Sequence, residues 1–279
     1  MGIDSMKKTR LISYIWLVFV PILIALLQHG PDMFWEGARS ELGAGFTMLN
    51  MMVSRVTDDT GTALTIAFSQ TVWICVFIIL LGDEITKEIR ECGTYVFSRY
   101  TNRNRWLKKQ LGKFFLKSGI YVLSYDVTCF FIAVKINRTM EEAGQMGYVI
   151  LSLVLLYLIL VFLGLLCNIL SVKSESAVSC TLVILLIFGC ATIAALSFVP
   201  KMIQWINPIW IPIQLATGEG MYGYLIQKGL ILISLLAFLL ISMKEQIRYL
   251  DIFEIKDRDR RWNEYQFSMS GKRWLEMMF

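Results

Sequence analysis

The chain has 279 residues, 56% of them hydrophobic and 18% charged, with a mean hydropathy of +0.58 and a formal net charge of +5. Soluble domains average about 45–50% apolar and about 25% charged residues, so this balance excludes an ordinary soluble globular protein and points to a membrane. The basic residues lie beside apolar runs and form no basic domain of their own, which argues against nucleic acid as a partner.

Crossing about 30 Å of hydrocarbon takes about 20 helical residues. Six runs meet that requirement, and they predict an all-α polytopic membrane protein with six transmembrane helices. The first, Leu11–Leu27, carries Pro21, which is expected to kink it. Lys7, Lys8 and Arg10 precede it as in a signal peptide, but no small-residue cleavage site follows, so it reads as a retained span. His29, the single histidine, follows at the outer end of this span and reads as an interfacial residue. The loop from Gln28 to Thr62 contains "FTMLNMMVSRV", with apolar residues at helical spacing: either a helix on the outer bilayer surface or an ordinary amphipathic connection.

The second span, Ala63–Leu81, includes Gln70, and the third, Phe114–Val134, holds Asp126 near its middle. An ionised carboxylate at that depth costs about 2.5–3.5 kcal/mol on insertion scales and normally faces a bundle interior or a wet cavity. Gln70, Asp126 and Asn168, the last in the fourth span Met146–Leu170, are therefore candidates for a translocation path or for helix packing. The fifth span, Ala177–Val199, has small residues at Cys190, Ala191, Ala194 and Ala195, which permit close helix approach. Before the sixth span, Leu225–Met243, come Pro200, Asn207, Pro208 and Pro212 among tryptophans and tyrosines. Proline breaks helices and these aromatics favour the membrane interface, so the segment is expected to form short, broken, re-entrant-like helices. Residues 1–243 read as one six-span transmembrane unit and 244–279 as a cytoplasmic tail.

Lysine and arginine divide unequally: twenty lie on the side of the termini, five on the other, and Lys117 and Lys228 fall within spans. Both termini are accordingly expected in the cytoplasm. The six cysteines lie in spans or in the basic loop with no CxxC or Cys/His spacing, and read as packing thiols, with neither a disulfide framework nor a metal site. No GxxxxGK[ST], GxSxG or HExxH occurs, so no catalytic site is expected in the chain and no cofactor is assigned to it.

The densest charge lies between the second and third spans, in "LGDEITKEIRECGTYVFSRYTNRNRWLKKQLGKFF". Ile85, Ile89, Cys92 and Val96 recur at helical spacing, with Glu84, Lys87, Glu88 and Glu91 on other faces. Gly93 interrupts the pattern, and "RYTNRNR" reads as a basic turn leading into the third span. A positive-inside loop would account for the basic residues, but not for an amphipathic helix with an acidic face.

This stretch resembles the first cytoplasmic loop of ABC-2 type ABC transporter permeases. Glu88, Arg90, Glu91, Gly93 and Thr94 match the family's acidic start, and Gly112-Lys113 its end, while Cys92 stands where a charged or polar residue is more usual. The resemblance implies a coupling helix in loop 83–113, formed by Glu84, Ile85, Glu88, Ile89, Arg90, Glu91, Gly93 and Thr94. It further implies two copies of a separate ABC ATPase subunit, carrying ATP and Mg, and a second permease, identical or paralogous, in the bacterial plasma membrane. The implied activity is export of an amphiphilic peptide, drug or lipid-like substrate. Two other classes stand beside it: an ion-coupled secondary transporter or channel, which should show several intramembrane ionisable residues or inverted repeats, and a non-transporting membrane sensor or scaffold acting through its tail.

Overall fold

The computed structural model describes residues 3–31, 44–52, 60–90, 103–136, 143–195, 207 and 221–248. These are almost entirely helical, and no strand occurs among them. In chain order the helices are α1 (Ile3–His29), α2 (Ala44–Met52), α3 (Thr60–Leu81), the short α4 (residues 84–90), α5 (Arg103–Ile136), α6 (Ala143–Lys173), α7 (Ser176–Ala195) and α8 (Met221–Arg248). Helix is the natural state for such runs, because in hydrocarbon every backbone N–H and C=O must be paired within the segment itself. Among the described residues, four helical stretches are long and apolar enough to cross a membrane: Arg103–Ile136, Met146–Lys173, Ser176–Ile193 and Leu225–Ile247. Tyr14–His29 is a shorter apolar helix of the same character.

The helices outrun the apolar stretches that announce them. α5 begins at Arg103, so the part of the basic segment from Arg103 onward is continuous helix running into the apolar stretch, where the sequence predicted a turn. Its Arg, Lys, Leu and Gln residues are good helix formers with no proline among them, and they extend the helix past the point where hydropathy falls. α1 likewise continues through Pro21.

Packing is organised around α5 and α6. α1 lies along α5, α3 along α7, and α8 along α6, while α2 rests on α5 and α6. Met48, Leu49 and Met51 of α2 are buried in these contacts, so α2 packs on protein through them. The core holds Trp73, Phe77, Phe114, Tyr121 and Tyr125 with no exposed surface. Phe77 meets Phe114 and Tyr121 edge-on, at ring separations of 6.5 and 5.4 Å. Outward faces remain apolar: Leu116, Leu123 and Phe131 of α5, Leu185 of α7 and Phe238 of α8 are 60–67% exposed. Apolar faces of that extent on a folded chain require a non-aqueous neighbour.

Gly164 lets α6 approach α3 and α5. A Cβ there would fall 2.6 Å from Phe114 Cζ and 3.1 Å from Phe77 Cε1, both on fully buried rings with little room to move. Gly164→Ala should therefore cost about 1–3 kcal/mol, the range for overpacking, and lower the thermal unfolding midpoint in detergent. Gly189→Ala, where the added Cβ meets nothing within 4 Å, should leave that midpoint unchanged or slightly raised.

Candidate functional site

α4 is held to three other helices. Gly82 ends α3, its amide bonding Ile78 O at 2.8 Å, and a Cβ there would lie 2.4 Å from the same oxygen. Asp83 then opens α4, its carbonyl accepting from Lys87 N at 2.8 Å and from Thr86 Oγ1 at 3.1 Å. An N-terminal aspartate commonly caps its own helix through the carboxylate. Here Asp83 Oδ2 instead accepts from Ser176 Oγ at the start of α7, at 2.6 Å. The buried first-turn amide of Ile85 is satisfied from outside the helix: it donates to Asn168 Oδ1 of α6 at 2.9 Å. Asn168 is fully buried, and its Nδ2 donates to Gly164 O at 2.8 Å and to Leu81 O at 3.4 Å. One amide thus ties the end of α3, the start of α4 and the body of α6.

The other end of α4 is fixed by Arg90, whose Nη2 donates to Ser171 O and, at 2.8 Å, to Ser174 O. Those carbonyls terminate α6, where unpaired acceptors and the helix dipole favour a cation. Ile85 and Ile89 are buried beneath α4 in the main core. Glu84 pairs with Lys117 of α5, and Glu88 accepts from Gln110 and lies 3.9 Å from Lys113 Nζ, also on α5. Glu84 and Glu88, placed by the sequence pattern off the apolar face, are thus turned toward the chain's own basic helix. Lys87 remains exposed, and Glu88 and Arg90 are half-buried. Glu91, Gly93 and Thr94 lie outside the described residues.

Further along the bundle, Tyr125 stacks on Trp73 with ring centroids 4.5 Å apart. Its hydroxyl donates to Gln28 Oε1 at 3.0 Å, and His29 Nε2 is 3.3 Å from the same oxygen. Gln28 Nε2 donates to Ser69 O at 2.6 Å, and Tyr121 Oη to Trp73 O at 2.7 Å. α1, α3 and α5 are thereby joined by polar groups. His29, at the end of α1, is buried in this cluster, where Tyr125 gives its ring a polar partner. Asp126 is also buried, and its Oδ1 has no hydrogen-bond partner among the described residues. The side chain of Gln70 lies outside the described residues.

Lys228 was not singled out from the sequence, although a lysine inside an apolar run is itself a signal. It is buried in α8 and its Nζ donates to Asn207 O at 2.7 Å, while Asn207 Nδ2 donates to Cys190 O of α7 at 2.6 Å. Asn207 thus links α7 and α8; Pro208 and Pro212 lie outside the described residues.

No group of three metal-ligating side chains occurs among the described residues. No protein-family model, no curated protein and no solved structure matches the chain.

Asn168→Ala leaves the Ile85 amide without its buried acceptor, a loss of about 1–3 kcal/mol. Hydrogen exchange followed by mass spectrometry should show faster exchange in peptides covering residues 82–90, while peptides from the α1 end near His29 stay unchanged.

Proposed function

We propose that the chain is the transmembrane subunit of an ATP-driven ABC-2 type exporter, with six spans, both termini in the cytoplasm of a bacterial cell, and α4 as the element that receives force from a separate ATPase. Two ATPase subunits, which bind ATP and Mg, and a second permease complete the assembly. The substrate class is an amphiphilic peptide, drug or lipid-like molecule. The observation that carries this reading is the anchoring of α4: Asn168 and Arg90 fix its two ends to α6, Asp83 reaches α7, and Glu84 and Glu88 reach α5. A helix so tied transmits a push as a rigid-body movement of several spans, whereas a free loop would absorb it. Its exposed Lys87, with half-buried Glu88 and Arg90, provides charged groups for a docking subunit.

In this reading Asp126 serves the permeation path. A buried carboxylate oxygen with no donor among the described residues costs stability, so Asp126→Leu should keep or raise the thermal unfolding midpoint while lowering export. A secondary transporter is the other reading with specific support, from the buried ionisable residues Asp126 and Lys228. Dependence of export on ATP and not on an ion gradient separates the two.

Docking is tested with Lys87→Glu in the full-length chain. Expression, membrane insertion and unfolding midpoint should match those of the parent, while a P-loop ATPase identified by mass spectrometry in the parent's purified complex should be lost. Retention of a fully coupled ATPase by Lys87→Glu overturns α4 as the docking element. Labelling a cysteine introduced at Asn104 from outside intact cells overturns the orientation.

A further inference from the structure

Five free cysteines fall among the described residues: Cys75, Cys129, Cys167, Cys180 and Cys190. Two of them are brought together. Cys167 Sγ of α6 and Cys180 Sγ of α7 lie 3.6 Å apart, across the tight connection at residues 174–175. The sequence offered no hint of this pair, since its spacing matches neither a CxxC nor a metal-binding pattern. The contact follows from antiparallel packing of two helices joined by almost no loop. Ser174 Oγ and Ser179 Oγ, 2.6 Å apart, close the same connection.

The two thiols differ in access. Cys167 is fully buried, against the close approach of Gly82, where an added Cβ would come within 2.8 Å of its sulfur. Cys180 is half-buried and stands four residues into α7 from Ser176. At 1.5 Å per residue this is about 6 Å from the start of the helix, and Cys180 is the more accessible thiol of the two. Cys167 immediately precedes Asn168, whose side chain holds the Ile85 amide. The dithiol therefore sits next to the contact on which α4 depends.

We infer that Cys167 and Cys180 form a dithiol site that peroxides oxidise to a disulfide, and that oxidation loosens α4 from α6. In the first step the Cys180 sulfur attacks a peroxide oxygen; the O–O bond breaks, a sulfenic acid forms, and with hydrogen peroxide one water leaves. The Cys167 sulfur then attacks the sulfenic sulfur, the S–S bond forms, and a second water leaves. Two thiols lose two protons and two electrons, and the peroxide receives them. A disulfide has an S–S length of about 2.05 Å, so the sulfurs must close by about 1.5 Å from their present separation. Closing that gap strains the α6–α7 contact at Cys167, whose next residue is Asn168, the acceptor of Ile85 N. A reducing thiol pool reverses the step by exchange, which makes the site responsive to oxidant load. The inference stands on the packing of α6 and α7 and does not require the transport reading.

The test uses the full chain, purified in detergent under reducing conditions, desalted and exposed to hydrogen peroxide. After alkylation of the remaining thiols, digestion without reductant should yield one cross-linked peptide pair joining Cys167 and Cys180, lighter by two hydrogens than the sum of its parts. Dithiothreitol should return both thiols. Cys180→Ser should abolish the product, and Cys75→Ser should leave it at parental yield. Hydrogen exchange in peptides covering Ile85 should be at least tenfold faster in the oxidised chain and recover on reduction. Two free, alkylatable thiols after peroxide, or a disulfide from Cys180 to Cys92 or to another molecule, overturns the site. A Cys167–Cys180 disulfide with unchanged exchange at Ile85 overturns the coupling to α4.

Discussion

The buried carboxamide of Asn168 is the contact on which the basic end of this bundle depends. A helix start leaves amide groups without partners, and α4 starts where three other helices converge and water has little access. The Asp83 carboxylate reaches outward, its Oδ2 accepting from Ser176 of α7, and the Ile85 amide turns elsewhere. Asn168 fills the role from α6, and it can do so because Gly82 and Gly164 let the neighbouring backbones and rings come close. A side chain offering one acceptor and two donor hydrogens suits a junction with one unpaired amide and two carbonyls, Gly164 O and Leu81 O. Aspartate would lack the donors and leucine would lack both.

The electrostatics at the same end follow a related logic. The basic residues of α5 are numerous enough to be explained by membrane orientation alone, yet Lys113 and Lys117 face Glu88 and Glu84. The Lys113–Glu88 pair is partly exposed, where such contacts are individually modest, while Lys117–Glu84 is more enclosed; both act in concert with the burial of Ile85 and Ile89. Arg90 and Arg103 have a different task. Arg103 donates to Ile247 O at 3.2 Å near the end of α8, as Arg90 does at the end of α6, so each finishes a helix that would otherwise present bare carbonyls.

Much of the helical layout was legible from hydropathy, because long apolar runs leave the backbone little choice other than helix. The ends were not, and α5 illustrates the reason: its hydropathy drops before Phe114 while its helix propensity continues back to Arg103. Asn168 and Asp126 stood out as polar residues in apolar runs, but only packing separates them. Asn168 is saturated with partners, whereas Asp126 retains an oxygen with none among the described residues. The amphipathic pattern of Ile85 and Ile89 identified the buried face of α4. The direction of Glu84 and Glu88 could not be read, since their partners lie 33 and 22 residues away and depend on how α3 and α5 cross. The same limit hid Cys167 and Cys180.

The continuity of α5 has a mechanical consequence. Its 34 residues make a rod about 50 Å long, against a hydrocarbon thickness of about 30 Å. The excess is the basic portion, which belongs to the same stiff helix as the apolar portion. Rotation of this rod by about 5° around its apolar end would sweep the basic tip through about 4 Å, by the same rise per residue. Arg103 at that tip is bonded to α8, while Lys113 and Lys117 partway along are paired with α4. Small angular changes deep in the bundle would thus be geared up into displacements of two other elements at its basic end, without bending any helix.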